Sequence, residues 1–204
     1  MATDQVTEFQ RRKQEIREQA HTNRKAQESK DDLSRVICDT FVALPEYVSA
    51  ATVMYYVDVR TEVRTRQALP AALSHGKRIV VPYCVDGELE LFHLENMEEL
   101  AVGMYKILEP KAELRDAPHK RVTPEELDLV MVPGVAFDRG GARMGHGFGY
   151  YDKLLEHARR DTPLIALAFE CQLFPEIPTQ PHDIFMYKIV TETTVYIGRG
   201  RGAA

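Results

Sequence analysis

The apolar residues of this chain fall into two alternating kinds of segment. Short runs that are almost continuously apolar and rich in β-branched or aromatic residues indicate buried strands at 51–57, 78–82, 129–132 and 163–169. Between these runs the apolar residues recur every three or four positions, as from Leu33 to Phe41, which predicts amphipathic helices. The alternation predicts a three-layer α/β/α, Rossmann-like fold, in which helices cover both faces of a mostly parallel or mixed central sheet.

Two further helices are predicted from polar start signals and helical spacing. The first begins at Thr3 or Asp4 and runs to about Asn23, and the second covers residues 150–160. Because the first helix has only a thin apolar stripe, we expect it to be held weakly and to lie at the periphery.

Turn-forming residues set the boundaries of the last strands. Asp86-Gly87 lies between two apolar runs and predicts a tight hairpin. A last strand is predicted over 188–197, followed by a frayed and peripheral C-terminal tail over 199–204. No repeat, linker or low-complexity segment interrupts the pattern, so residues 1–204 are expected to form a single domain.

Three predicted loops each follow a predicted strand: 58–62, 134–149 and 170–183. In a parallel sheet the carboxyl ends of the strands lie at one edge, and ligands bind in the crevice outside that edge. We therefore expect these three loops to lie close together around a ligand.

The loop over 134–149 carries the strongest chemical signal. It contains five glycines between Gly140 and Gly149 and joins a buried strand to the helix that begins near Tyr150. Backbone N–H groups in such a loop can approach a phosphate closely, and the helix N-terminus attracts negative charge. The spacing matches neither the Walker A loop nor the dinucleotide-binding pattern. Taken alone, the glycines are about as consistent with a tight turn as with a phosphate site.

Charged residues add to this signal. Arg143 supplies positive charge within the loop, and Asp138 and Asp152 carry the oxygen ligands that suit a hard cation such as Mg²⁺. Lys13 and Arg17 lie four positions apart and therefore project from one face of the first helix. Their spacing is consistent both with a solvated basic face and with two cations that lean over an anionic ligand.

Composition narrows the class of protein. A net charge of −5 over 204 residues argues against a dedicated nucleic-acid-binding protein. No apolar run reaches the roughly 20 residues that a membrane-spanning helix needs, and the N-terminus has no apolar signal core. Three scattered cysteines, Cys38, Cys84 and Cys171, favour reduced thiols in the cytoplasm over a disulfide framework or a zinc site.

The glycine loop belongs to a longer motif. The motif begins as Pro133-Gly-x-x-Phe137-Asp and continues as Arg143-x-Gly-x-Gly-x-Gly-Tyr-Tyr-Asp152. It closely resembles the signature of the 5-formyltetrahydrofolate cyclo-ligases, also called 5,10-methenyltetrahydrofolate synthetases. Looser matches follow the family order over nearly the whole chain: Lys13-x-x-x-Arg17, Glu62-Val-x-Thr65, the segment 76–82, Ala168-Phe-Glu-x-Gln172 and His182-Asp183.

The resemblance implies an ATP-dependent ligase. Members of that family convert 5-formyltetrahydrofolate to 5,10-methenyltetrahydrofolate, with hydrolysis of ATP to ADP and phosphate in the presence of Mg²⁺. The formyl oxygen receives the γ-phosphoryl group, N10 attacks, and phosphate leaves. Such chemistry requires positioning and charge neutralisation rather than a nucleophilic side chain. We expect a monomeric, cytoplasmic enzyme with these two small-molecule substrates and without nucleic-acid or membrane partners.

The resemblance also implies roles for individual residues. The catalytic residues are Lys13, Arg143 and Tyr151. The ATP-binding residues are Lys13, Arg17, Arg143, Gly145, His146, Gly147, Phe148, Gly149, Tyr150 and Tyr151. The folate-binding residues are Arg17, Val57, Glu62, His146, Gly147, Phe148, Gly149 and Tyr150, with Glu62 facing the N–H donors of the pterin. The Mg²⁺ ligands are Asp152 and Asp183.

Two positions depart from the family pattern. Phe148 stands where some members carry lysine or a small residue, so a phosphate contact is either missing or supplied by Lys153. Tyr187 stands where many members have a second acid, which predicts a smaller set of metal ligands. Two other classes of protein remain open: a non-catalytic folate- or nucleotide-binding module, and a sugar-phosphate isomerase or coenzyme A transferase of similar fold.

Overall fold

The structure is a computed structural model that describes residues 2–103 and 107–202, with side chains from residue 7 onward. Its helices are α1 (Ala2–Ala26), α2 (Lys30–Val42), α3 (Pro45–Ser49), α4 (Leu69–Leu73), α5 (Ala112–Arg115) and α6 (Tyr150–His157). Its strands are β1 (Thr52–Met54), β2 (Arg78–Val85), β3 (Glu88–Leu94), β4 (Leu100–Val102), β5 (Leu108–Pro110), β6 (Arg121–Val122), β7 (Leu129–Val132), β8 (Ala136–Asp138), β9 (Arg143–Met144), β10 (Leu164–Leu167), β11 (Leu173–Phe174), β12 (Lys188–Val190) and β13 (Val195–Ile197).

Eight strands form the central sheet, in the order β13-β12-β10-β7-β1-β2-β3-β6. The five inner strands from β12 to β2 are parallel, whereas β13, β3 and β6 pair antiparallel at the two sides. The predicted mostly parallel or mixed sheet is therefore confirmed.

Both faces of the sheet are covered, because successive residues of each inner strand point to opposite sides. On one face Val53 packs in a cluster with Phe41 of α2, and α3 and α4 complete that layer. On the other face Met54 packs in a cluster with Leu155 of α6. These side chains are fully buried, and burial contributes about 1.5–3 kcal/mol for each. The predicted three-layer arrangement is present.

The strand order reverses direction between β1 and β7. From β1 the chain moves to β2 on one side, and it later returns to place β7 on the other side of β1, followed by β10 and β12. The carboxyl ends of β1 and β7 therefore flank the topological switch point, where open α/β sheets bind ligands. The loops that leave these ends contain Glu62 and the glycine motif.

The predicted hairpin at Asp86-Gly87 is confirmed, since β2 and β3 pair up to Val85 opposite Glu88 and both turn residues have positive φ. The single strand predicted over 188–197 is wrong, because the chain turns back after β12 and forms the antiparallel pair β12–β13. The Thr191 N–H and hydroxyl both donate to the Thr194 carbonyl across this turn, at 2.9 and 3.1 Å.

The C-terminal tail is docked rather than frayed up to Gly202. Arg201 donates to the carbonyls of Leu155, Ala158 and Arg159, at and just beyond the end of α6, which stops at His157 instead of continuing to 160. The Arg199 N–H also donates to the carbonyl of Gly140, at 2.9 Å. The tail therefore closes the helix end and braces the glycine loop.

A small second sheet, which the sequence pattern did not predict, joins the loops at the carboxyl edge. It has the order β11-β8-β9, and Leu173 pairs with Phe137 across the parallel strands β11 and β8. This pairing holds the loop after β10 beside the loop after β7, so the expectation that these loops share one edge is confirmed.

The remaining general expectations concern thiols and membrane spans. All three cysteines are free thiols, although Cys84 is exposed and only Cys38 is buried. None of the helices within residues 2–103 and 107–202 has both the length and the apolar character that crossing a bilayer requires.

Candidate functional site

One face of α1 lies along the carboxyl edge of the sheet. Steps of four, four and three residues place four basic side chains on that face: Lys13, Arg17, His21 and Arg24. The Arg17 Nε donates to the carbonyl of Gly145 at 3.2 Å, and the His21 ring stacks on that of His146 with 5.5 Å between centroids. The helix expected to be peripheral is therefore one wall of the site.

The glycine loop has a conformation that side chains would oppose. Gly147 has a φ of 99° and Gly149, which precedes α6, has a φ of 72°. Residues with a Cβ rarely adopt such angles. Gly147 also lies beside Arg17, since a Cβ at this position would be in van der Waals contact with Nη2 of Arg17, at 3.8 Å. The glycines therefore let the loop turn beside Arg17 and enter α6.

Arg143 and Asp152 form an ion pair between Nη2 and Oδ1. The Arg143 side chain is only 6% exposed, donates to the Pro133 carbonyl at 3.2 Å, and lies over the ring of Tyr151 at 5.9 Å. Asp152 lies in the first turn of α6 and is 61% exposed. The cation predicted to bind phosphate and an acid predicted to bind Mg²⁺ are thus each other's partners.

Lys13 and Asp183 repeat this arrangement. The Lys13 Nζ lies 3.8 Å from Oδ2 of Asp183, which also accepts the backbone N–H of Gln180 at 2.7 Å. Lys13 packs over the ring of Phe9 at 4.6 Å. Both predicted metal ligands are therefore paired with predicted phosphate-binding cations.

The acids of the site do not form a ready-made metal cage. Asp152 and Asp183 are not joined by any contact, and no group of three or more His, Cys, Asp or Glu side chains converges within the described part of the chain. The carboxylate of Asp138 accepts the backbone N–H groups of Gly140, Ala142 and Ile177. Asp138 therefore shapes the turn before β9.

Glu62 is buried beside the glycine loop. Its Oε2 accepts the N–H of Val59 at 3.0 Å, and its Oε1 lies 3.6 Å from Nε2 of His146. Burial lowers the pKa of His21, and the nearby Arg24, His146, Arg60 and Arg17 lower it further. His146 therefore faces Glu62, and His21 stacks on His146 in a locally positive environment.

Three aromatic residues, Phe148, Tyr150 and Tyr151, lie in or directly after the glycine loop. Tyr151 packs against the core cluster that contains the buried Val57, and burial raises the pKa of its hydroxyl, an effect that Glu62 increases and Arg143 opposes. Phe148 is 72% exposed at the loop tip and stacks on Tyr150 with 5.7 Å between centroids. Phe148 therefore presents an apolar ring where a lysine would present charge.

The two departures from the family pattern lie in different places. Lys153, the candidate to replace the lysine, pairs with Glu88 on the surface at 3.3 Å. Tyr187 lies at the amino end of β12, on the opposite edge of the sheet. There it lines a concavity of about 260 Å³ together with Arg160, Leu164 and Phe185.

Sequence reasoning gave no role to two buried polar residues that tie the loops together. Arg24 donates to the hydroxyl of Thr61 at 2.9 Å and to the carbonyl of Gly134 at 3.2 Å. Gln172 donates to the same Gly134 carbonyl and to that of Val135, both at 3.0 Å. The step from Arg17 through His21 to Arg24 continues the basic face of α1, so the spacing already carried a signal for Arg24.

Known proteins resemble this chain over most of its length. The model of the 5-formyltetrahydrofolate cyclo-ligase family matches residues 9–192. A probable 5-formyltetrahydrofolate cyclo-ligase of Schizosaccharomyces pombe is 32% identical over 81% of this chain and 86% of its own length. The 5-formyltetrahydrofolate cyclo-ligase of Escherichia coli K12 is 29% identical over 83% of this chain and 93% of its own.

Two solved structures of 5,10-methenyltetrahydrofolate synthetases have the same fold as this chain. The 5,10-methenyltetrahydrofolate synthetase of Aquifex aeolicus superposes with a TM-score of 0.79 at 31% identity, over 94% of this chain and 96% of that one. The 5,10-methenyltetrahydrofolate synthetase of Mycoplasma pneumoniae, at 22% identity and a TM-score of 0.69, shares the fold over 88% of this chain and 98% of that one. By the extent of these matches, this chain belongs to the 5-formyltetrahydrofolate cyclo-ligase family.

Proposed function

We propose that this protein is the ligase that converts 5-formyltetrahydrofolate and ATP to 5,10-methenyltetrahydrofolate, ADP and phosphate. The observation that carries the proposal is the position of the family motif. The segment from Arg143 to Asp152 lies at the topological switch point, with Arg17 of α1 bonded to its Gly145 carbonyl and Glu62 beside its His146. A phosphate-binding loop and a buried acid thus meet at the edge where such sheets bind ligands.

The proposed reaction has two steps. The formyl oxygen attacks the γ-phosphorus, the bond to the bridging oxygen breaks, and ADP leaves. N10 then attacks the formyl carbon and loses its proton, and the carbon–oxygen bond breaks as phosphate departs. The protein's part is to hold the reacting groups in line and to offset the charge of the phosphates.

Charged and aromatic side chains have distinct tasks in this proposal. Lys13, Arg17 and Arg143 bind the phosphates, and the backbone N–H groups of Gly145, Gly147 and Gly149 line their path. Glu62, which is buried and lies across from His146, accepts the N–H donors of the pterin. Aromatic and apolar walls complete the two pockets: Val57, Phe148, Tyr150 and Tyr151.

Asp152 and Asp183 are the residues that would hold Mg²⁺. Their carboxylate oxygens suit this ion, which commonly takes one or two protein carboxylates and keeps waters and phosphate oxygens as further ligands. Bound there, the ion would offset the negative charge of the phosphates. Because both acids are paired with Arg143 and Lys13, we propose that Mg²⁺ and ATP enter together: the phosphates take the cations, and the acids become free for the metal.

The wider assignments are also proposals. We propose that residues 1–204 act as one cyclo-ligase domain, supported by a family match that spans residues 9–192. We further propose a monomer in the cytoplasm, without nucleic-acid or membrane partners, in keeping with the net charge of −5.

The direct test is a spectroscopic assay. Purified protein with ATP, Mg²⁺ and 5-formyltetrahydrofolate should develop the near-ultraviolet absorbance of the methenyl product, with one phosphate released per product. A folded preparation that is stabilised by ATP in a thermal-shift assay but releases no phosphate would instead be a binding module. That result would refute the ligase assignment.

A further inference from the structure

Arg24 is an unusual buried residue. Only 2% of its surface is exposed, and arginine is rarely buried without an acidic partner. Among the side chains described, no carboxylate lies within ion-pair distance of its guanidinium, which bonds instead to the Thr61 hydroxyl and the Gly134 carbonyl. A buried cation held only by neutral groups calls for a reason beyond stability, because burying a charge is costly.

The two partners of Arg24 belong to the two loops at the topological switch point. Thr61 lies after β1 and directly precedes Glu62, whereas Gly134 follows β7 at the entry of the glycine motif. Burial lowers the pKa of Arg24, and the charge of Glu62 is the largest influence that opposes this shift. The guanidinium is therefore bonded to the residue that precedes Glu62 and interacts with the charge of that acid.

A role of Arg24 in stability alone does not account for all of its contacts. The Gly134 carbonyl also accepts from Gln172, so it keeps a partner without Arg24. The end of α1 is also fastened by Asn23, which donates to the Cys171 carbonyl at 3.1 Å. Holding Thr61 and supplying positive charge next to Glu62 are the contributions that belong to Arg24 alone among these contacts.

We infer that Arg24 is a positioning residue for the folate substrate, which acts by holding Glu62 in the place and orientation that the pterin requires. The inference rests on the proposed role of Glu62 as the pterin-binding acid. It separates the basic face of α1 into two functions: the end near Lys13 and Arg17 meets phosphates, and the end at Arg24 sets the folate pocket.

The test is a kinetic double-mutant cycle between Arg24 and Glu62. Arg24→Met should raise the KM for 5-formyltetrahydrofolate about tenfold or more and leave the KM for ATP within about twofold. Arg24→Lys should recover part of the loss because it keeps the charge. If Arg24 acts through Glu62, the double variant with Glu62→Gln should bind folate no more weakly than Glu62→Gln alone.

Other outcomes would overturn the inference. Equal rises in both KM values, or effects of Arg24→Met and Glu62→Gln that multiply, would indicate general loosening of the site. An unchanged KM for folate in Glu62→Gln would refute the role of Glu62 and the inference together. A rise in Glu62→Gln without one in the Arg24 variants would refute the inference alone.

Two more variants guard against misfolding. If Arg24→Met does not fold, Thr61→Val removes one of its bonds and should raise the KM for folate about threefold, with the KM for ATP unchanged; an unchanged KM for folate would refute the inference. Arg201→Met is the matched control, since the guanidinium of Arg201, like that of Arg24, bonds to neutral groups, here the backbone carbonyls at the end of α6. It should lower the melting temperature and leave both KM values as they are.

Discussion

Two nearly buried cations in this molecule, Lys120 and Arg143, both contact carboxylates but differ in their surroundings. Lys120, beside the edge strand β6, is 3% exposed and contacts both Glu95, at 2.6 Å, and Glu99. Arg143, at the carboxyl edge, is 6% exposed and has one acidic partner, Asp152. In each case a nearly buried cation meets carboxylate, yet only the second pair lies in the proposed active site.

The difference lies in the acids. Glu99 is itself buried, and its second oxygen accepts the N–H of Glu95 at 2.9 Å, so Lys120 has a buried acid that water cannot solvate in addition to the exposed Glu95. Burial acts to lower the pKa of Lys120, but the hydrogen bonds to Glu95 and Glu99 outweigh it and raise that pKa. Asp152, by contrast, is 61% exposed, so water can solvate it when Arg143 turns to another anion. We call the Lys120 cluster closed, because its cation is held by a buried acid, and the pair of Arg143 and Asp152 open, because its acid is solvated and its cation can bind another anion.

The largest expected effect is the loss of turnover on removing the open cation. Arg143→Met should reduce kcat/KM by about a thousandfold or more, because a guanidinium that stabilises a transferring phosphoryl group contributes on that scale. The free energy of unfolding should fall by no more than about 2 kcal/mol, since the Asp152 that is left behind is mostly solvated. Steady-state kinetics and urea unfolding measure the two quantities. Activity that survives in a folded variant would remove Arg143 from the reaction.

The opposite pattern is expected at the closed cluster. Lys120→Met leaves Glu99 buried without its cation and should lower the free energy of unfolding by about 3 kcal/mol. The kcat/KM of the molecules that remain folded should change by less than about twofold. The cluster lies beside the edge strand β6, and β1, β2 and β3 separate β6 from β7 in the sheet. Urea unfolding and kinetics at a temperature well below the transition check both. A large loss of activity without loss of stability would break the distinction between closed and open pairs.

Much of the fold was predictable because local chemistry and tertiary structure agree. The apolar runs at β7 and β10 are buried on both faces, and Asp86-Gly87 is a turn by composition. The β12–β13 hairpin was missed because its turn, Thr191 to Thr194, contains no Gly, Pro, Asn or Asp. There a threonine hydroxyl bonded to backbone does the work that those residues usually do.

The sequence did not predict how the charged residues of the candidate site pair with one another. The resemblance predicted that Arg143, Asp152 and Asp183 belong to the site, and the structure places them at one edge of the sheet. Which cation meets which acid depends on distances between α1, the loop and α6 that no local pattern encodes. Arg24 was missed for a different reason: a basic face on a polar helix is usually solvated, and burial is a tertiary property.

The smallest expected effect isolates the acid of the open pair. Asp152→Asn keeps the shape of the side chain and removes its charge, so the Mg²⁺ concentration for half-maximal rate should rise about tenfold. The free energy of unfolding should fall by about 1–2 kcal/mol, because the Asn amide oxygen can still accept from Arg143 but the nearly buried guanidinium loses its counter-charge. Glu88→Gln is the matched control, because Glu88 also forms an exposed pair next to α6, with Lys153; its Mg²⁺ requirement should not move. If the two variants respond alike, Asp152 is only a surface partner of Arg143. If only Asp152→Asn needs more Mg²⁺, the exposed acid of the open pair is a ligand of the metal.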